Sequence, residues 1–436
     1  MFDYSDLKNK IRVELKDKKL IEALKHECAS VRLTQRKNRK NFSEYMAVEE
    51  AREKLRSIKN YSVSNIDRLV KDATEIFRKN NVTVFVARDE EDVLDYLSKN
   101  IEGEIAFKSG TSFLGWGSRE INLKKLMDKG IEVIDSDIGD RAIQLLESTR
   151  VHGCISSPQL TLEDFAQAYS KTAGRKVNPE VREILNEFRE HTLKLMQSKQ
   201  AKTGITSCNV IAAKDAQIIA MENHGNIRRI SNLPQHFVVT PITKLVPTLE
   251  DALHVMRCMM FGFGACPYPL SVAYTSFVSS PSRTVDIGWQ INYGLLGAKE
   301  VHLVLVDNGR TSAINTDLQE ALYCLHCGAC NNVCESYIQV PRVMNYKYGY
   351  FAGIGAVKAY ILSKGSTRER LGRSIESGLY LCTDCRACYD ICPAKINTPK
   401  MINILRRKAV EENLALPPLV KMRDNIIEIG NPTGIE

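Results

Sequence analysis

Eight of the thirteen cysteines in this 436-residue chain fall into two runs. The first is Cys324, Cys327, Cys330 and Cys334; the second is Cys382, Cys385, Cys388 and Cys392, closed by Pro393. Each run reads C-x2-C-x2-C-x3-C, the ligand spacing of a polypeptide carrying two [4Fe–4S] clusters. A cubane needs four thiolates converging on its iron corners. Two-residue gaps let a short loop deliver three of them, with its amides free to hydrogen-bond the sulfides. The fourth cysteine of each run lies beyond that loop and ordinarily ligates the other cluster. The spacing therefore predicts Cys324, Cys327, Cys330 and Cys392 around one cluster, and Cys382, Cys385, Cys388 and Cys334 around the other. That crossover makes the clusters neighbours and the chain an electron conduit. In each run the fourth cysteine stands four residues past the third, so the pair is expected on one face of a helical turn.

Other readings of the cysteines are weaker. Zinc is ordinarily held by two separated C-x2-C knuckles, and four thiolates in one short run close poorly into a tetrahedron. A disulfide framework conflicts with an odd cysteine total and with an N-terminus, MFDYSDLKNK, that has no apolar targeting core. The remaining cysteines, Cys28, Cys154, Cys208, Cys258 and Cys266, have no metal spacing and read as buried structural thiols.

Hydrophobic content of 44% and charged content of 26% describe a chain with ample core for two or three domains. The net charge of +8 is a modest basic bias. Part of it sits in Arg32, Arg36, Lys37, Arg39 and Lys40, read as a solvated helix face; no aromatic residues interleave with it, and nucleic-acid binding is discarded. The charge-free stretch from Cys258 to Ser282 is broken by glycines and prolines and makes a poor membrane span. A cytoplasmic protein, touching a membrane only through a partner, is expected.

Three regions follow along the chain. Residues 1–75 carry apolar residues at three- and four-residue intervals and read as a helical N-terminal region for packing or docking. Residues 76–310 alternate β-branched runs (Val82–Val86, Ile131–Ile134, Val301–Val306) with amphipathic helices, which predicts an α/β domain around a parallel or mixed sheet. A helix from Pro179 to Lys199 capped by Asn178 is expected, then a hairpin turning at Asp215. Residues 311–436 read as helical with the cysteine runs inset, and the glycine-rich connection between the runs as loops with short helices.

Within the α/β part, the strand Glu104–Phe107 leads into Lys108, Ser109, Gly110, Thr111 and Ser112. A small hydroxyl-bearing turn beside a lysine suits a small-anion site. Gly115–Trp116–Gly117 extends it as a candidate lid. Arg283 and Asp286 form a second candidate, able to bind a carboxylate or phosphate and orient a hydroxyl, or to pair with each other. Glu222–Gly225–Asn226, with His224, reads as a structural turn, and His326 as a solvent-facing spacer. No nucleophile–base pair, GxGxxG or Walker motif is present, so no catalytic residue is assigned.

The segments Ala87–Glu91, Lys108–Ser109, Gly130–Val133, Gly204–Thr206, Leu245–Asp251 and Leu305–Arg310, followed by Glu320–Leu322 and the first cysteine run, resemble the iron–sulfur subunit of the lactate-utilisation (LUD-domain) family. The resemblance runs from about residue 45 to 400. It implies an α/β LUD domain of sugar-isomerase/CoA-transferase type, then an α-helical ferredoxin domain. It further implies electron transfer during oxidation of L-lactate or a related 2-hydroxy acid. The partners implied are a cysteine-rich-domain subunit of heterodisulfide-reductase type and a second LUD protein, with a flavoprotein as another candidate. Gly430–Gly434 resembles the peptide that joins such a ferredoxin domain to a cysteine-rich domain in fused relatives, which implies that the latter is a docked partner here. Two departures stand out. Glu335 follows the first run where the family has Pro, and a carboxylate there predicts a lower potential for the adjacent cluster. The segment Lys108–Ser118 diverges from the lactate subgroup after Lys–Ser. The same parts also suit a heterodisulfide-reductase-like or other anaerobic complex that uses no lactate, or a ligand-binding, redox-responsive module.

Overall fold

The strand Glu300–Val306 is buried along almost its whole length, so it has to be covered on both faces. A computed structural model describes residues 3–435 except 112, 118, 154–156, 199, 260–271 and 348. It places Glu300–Val306 inside a six-stranded sheet whose order in space is Thr83–Ala87, Glu300–Val306, Gln235–Pro241, Ala201–Thr206, Ile105–Lys108, Glu132–Asp135. Every pairing in that sheet is parallel. Alternation then sorts the side chains: Val301, Leu303 and Leu305 enter one apolar cluster, Val304 and Val306 another. A smaller mixed sheet contains the expected hairpin of Val210–Ala212 and Gln217–Glu222, and Asp215 in its turn accepts the Leu249 amide.

Four helices lead into this layer: α1 (Tyr4–Glu14), α2 (Lys18–Ser43), α3 (Val48–Ser64) and α4 (Ile66–Lys79). Asp3 and Asp17 cap the first two, each accepting backbone amides of the first turn. Helix α4 crosses the expected boundary at residue 75 because its stripe Ile66, Leu69, Ala73 and Phe77 belongs to the core beneath the sheet. Helices α1–α3 do the opposite. Leu7, Leu20, Leu24, Cys28 and Leu55 share one core with Tyr337, Ile338 and the helix Ala352–Leu362 of the C-terminal part.

That last helix is one of the short helices expected between the cysteine runs, and all 11 of its residues are buried. Its glycines serve close packing: a Cβ on Gly355 would stand 2.4 Å from the Tyr350 carbonyl oxygen. Asn178 is not a helix cap either. The helix starts at Val181 after Glu180, and Asn178 instead donates to the Glu183 carboxylate. No described helix is long and apolar enough to cross a membrane, and residues 260–271 of the charge-free stretch lie outside the described residues.

Of the basic run, Arg36, Lys37 and Lys40 are solvent-exposed, whereas Arg32 and Arg39 turn inward. Arg32 donates to the Asn332 carbonyl at 2.7 Å and Arg39 to that of Ile391 at 3.1 Å. Arg52 donates to Cys392 and Tyr389, and Arg56 to Lys395 and Glu320. These guanidiniums satisfy carbonyls at the ends of the short turns that carry the fourth cysteines, where the helix dipole favours cations.

Candidate metal centre and adjoining cleft

Both cysteine runs fold the same way. A 3-10 turn, Gln319–Tyr323 or Leu379–Leu381, delivers the first cysteine; the turn Asn331–Val333 follows the third in the first run, and the helical turn Ala387–Ile391 contains the third in the second. Between them φ turns positive at the same two places: His326 (62°) and Gly328 (70°) in the first loop, Asp384 (57°) and Arg386 (67°) in the second. Residues alternating into the left-handed region point successive amides inward, the concave nest that receives anionic groups and iron–sulfur clusters. Three of the four positions are not glycine, and each costs about 1–2 kcal/mol. The repeated strain marks a built site.

The thiols of the two runs lie close enough to oppose one another's ionisation across the runs. Burial first, and then the neighbouring Cys324, Cys327, Cys388 and Cys392, push the Cys330 thiol far up. Cys392 is raised to about 11 by burial and by Cys324. Cys334, also raised to about 11 by burial, feels Cys382 and Cys385 instead. Cys388 is raised to about 12 by burial and by Cys382, Cys334, Cys385 and Cys392. None of the eight is in a disulfide among the described residues. Crowded thiols that oppose one another's ionisation are relieved by a cationic iron core, so the donor set fits the clusters. Among the described residues no three His, Cys, Asp or Glu side chains could hold a single metal ion, a criterion a cubane does not meet because its ligands stand on separate irons. In the first run the step from Cys330 to Cys334 is a 3-10 turn, not an α-helical one, and the two cysteines part towards different sets.

Three lysines surround the first loop, and sequence reasoning missed all of them. Lys59, Lys244 and Lys358 are 2%, 8% and 1% exposed. Lys59 donates to the Thr243 carbonyl at 2.5 Å and Lys244 to that of Leu325 at 3.0 Å. Burial, then Lys244, pushes Lys59 down to about 7, and burial pushes Lys358 down to about 8; Cys324 acts against both shifts. A lone lysine in the apolar run Ala352–Leu362 was the available signal. His326 is likewise no solvent-facing spacer: its Nε2 is enclosed and its ring meets Tyr350 edge-on at 5.1 Å. Glu335 is different from expectation too, its side chain 77% exposed and 3.9 Å from Arg32.

Beside the first loop lies a polar cleft at the carboxyl ends of the strands. Lys108 ends its strand paired with Asp135 from the next, both side chains 3% exposed. Arg119 and Arg150 approach Asp140 at 3.8 and 3.4 Å, and His224 meets Asp137 at 3.0 Å. Burial pushes the Asp135 carboxyl up, against the pull of Lys108. Lys108 lines one cavity, while Ser109, Gly110 and Thr111 line a second, and Arg150 borders both. Ser112 lies outside the described residues, as do Cys154 and Cys266. Arg283 and Asp286 stand apart on an exposed hairpin, lining neither cavity; Asp286 takes the Thr284 hydroxyl. The candidate lid is tied down, with Leu114–Gly115 pairing Ile121–Asn122. Glu222 caps the turn after it by accepting the Ile227 and Arg228 amides. Behind the cleft Arg310 and Glu120, 1% and 0% exposed, pair at 2.6 Å and join Tyr350 and Asn308.

A parallel α/β sheet feeding a twofold cysteine nest defines an iron–sulfur protein. The LUD domain profile matches residues 70–306 and a 4Fe-4S dicluster domain profile residues 320–396. The chain belongs to the LUD-domain family. It is 26% identical to the uncharacterized electron transport protein YkgF of Escherichia coli K12, over 94% of this chain and 82% of that one. Lactate utilization protein B of Shouchella clausii is 29% identical over 84% of this chain and 73% of its own. A crystal structure of a DUF162 family protein from Deinococcus radiodurans aligns with a TM-score of 0.28 and 10% identity, covering 56% of this chain and 98% of that one.

Proposed function

We propose that this chain is the electron-transfer subunit of a complex that oxidises L-lactate or a related 2-hydroxy acid. The observation that carries the reading is the pair of matching nests that present the two cysteine runs. Cys324, Cys327, Cys330 and Cys392 would hold one cluster, and Cys382, Cys385, Cys388 and Cys334 the other. Two [4Fe–4S] clusters bound there would carry single electrons. The chain's own residues set the path. The first loop is walled in by the LUD domain and the buried lysines. The second loop leaves Thr383–Arg386 exposed, so it is the face for a redox partner. A cysteine-rich-domain subunit of heterodisulfide-reductase type is the partner of choice, with a second LUD protein or a flavoprotein on the donor side. The name of the relative lactate utilization protein B favours lactate as the electron source.

Anaerobic purification with whatever co-purifies tests this. About eight irons per chain, four for each cubane, and bleaching of the clusters by L-lactate in the presence of the partner are expected. Bleaching by another donor and never by lactate would assign the wiring to a different oxidation.

A further inference from the structure

The carboxyl ends of four neighbouring parallel strands, ending at Pro241, Thr206, Lys108 and Asp135, converge on a cavity of about 250 Å³. Open α/β sheets bind their ligands in this crevice. Its far wall is not part of the sheet: Leu325 and His326, from the first cysteine loop, close it. The lining is polar, with the hydroxyls of Ser109, Thr111 and Ser207 and the cations Arg150 and Lys244. Lys244 spends one of its three donors on the Leu325 carbonyl, and it makes no other hydrogen bond among the described residues. Arg150 is fixed by the carbonyls of His152 and Gly153. The one carboxylate in the lining, Asp137, is already engaged by His224 and by the amides of Gly139 and Asp140. The His326 Nε2 is itself enclosed within the protein and takes no part in the lining surface.

We propose that this cavity binds a small carboxylate, a 2-hydroxy or 2-oxo acid, with its carboxylate taken by Lys244 and the neighbouring hydroxyls. The location stands on the cavity's own geometry; the choice of acid rests on the electron-transfer reading above. The LUD domain is then a ligand-binding domain whose ligand lies against the loop of Cys324 and Cys327, and not only a platform for partners. Arg150, shared with the cavity that holds Lys108 and Asp135, links ligand binding to the buried ion pairs behind it.

The test uses the full chain, reconstituted anaerobically, with iron content and electron paramagnetic resonance recorded on each preparation. Calorimetric titration with pyruvate and L-lactate is expected to show one acid bound per chain, undisturbed by inorganic phosphate. Lys244→Met is expected to weaken binding roughly tenfold or more, and Thr111→Val, which removes a hydroxyl but no charge, by roughly threefold. Pyruvate should also shift the resonance of the cluster that Cys327→Ser abolishes, a change that a remote site would not produce. No binding of either acid to a preparation holding about eight irons would overturn the proposal. So would binding of phosphate in preference, or an affinity that neither variant alters. A preparation holding about four irons that still binds pyruvate would remove the two-cluster reading and leave the cavity assignment standing.

Discussion

Arg52 donates from Nε to the carbonyl of Cys392 at 3.0 Å, across 340 residues of chain. The contact is one of several by which α2 and α3 close over the second cysteine run, with Arg39 on Ile391 and Lys395 held by Glu49 and Glu53. The N-terminal helices are therefore the lid of the metal centre.

Removing that clamp should loosen the site before it unfolds the protein. Arg52→Met gives up two hydrogen bonds from a charged donor, 11% exposed, to backbone carbonyls. A loss of about 1.5–3 kcal/mol is expected. Denaturant unfolding measures it, and faster iron loss to a chelator should accompany it.

Cys392 lies in the second run, yet the proposed ligand sets put it with Cys324, Cys327 and Cys330. Cys392→Ser should therefore reproduce the spectroscopic defect of Cys327→Ser and leave the signal removed by Cys385→Ser intact. Electron paramagnetic resonance of the three reduced variants decides. A Cys392→Ser spectrum matching that of Cys385→Ser would rule out the crossover.

The buried lysines favour an added electron at the first cluster, since charge acts strongly where water is excluded. Lys358→Met should lower the midpoint of that cluster by on the order of tens of millivolts and move the other less. Glu335→Pro should move either midpoint less than this, because its carboxylate is exposed and screened. Redox titration compares the two variants directly.

Burial, and then His302, pushes His236 down to about 3, with its Nε2 at 2.8 Å from the Thr206 hydroxyl. Its folded pKa lies below the unfolded value of about 6.5. Between those values the unfolded chain binds the extra proton, so this group's contribution is complete above pH ~6.5 and is lost as pH falls towards 3. His236→Gln should flatten the acid limb of the stability curve by roughly a few kcal/mol. Chemical denaturation at a series of pH values measures the slope.

Arg310→Met strands the Glu120 carboxylate in the interior and should cost about 3–5 kcal/mol. Adding Glu120→Gln should recover part of that loss, because a neutral amide needs no counter-charge. Thermal unfolding of the single and double variants gives the coupling.

Much was legible in one dimension. Iron chemistry dictates cysteine spacing, so the two runs were readable without any fold. Strands such as Val301–Val306 and the hairpin around Asp215 were readable because a strand buried on both faces must be apolar at nearly every position. The same periodic logic does not say that Gly355, in the glycine-rich connection, marks close approach to Tyr350. Nor does the closeness of Arg283 and Asp286 in sequence say anything about their distance from Lys108.

The sequence by itself determined the ligands' identity, the α/β alternation and the family, because each is written in the type and spacing of adjacent residues. Only the tertiary structure decided that Lys59, Lys244 and Lys358 meet around one loop, that His326 turns inward onto the sheet's cavity, and that α2 and α3 cap the cysteines. Burial and convergence depend on segments hundreds of residues apart finding a common core, and no local pattern records which segments those are.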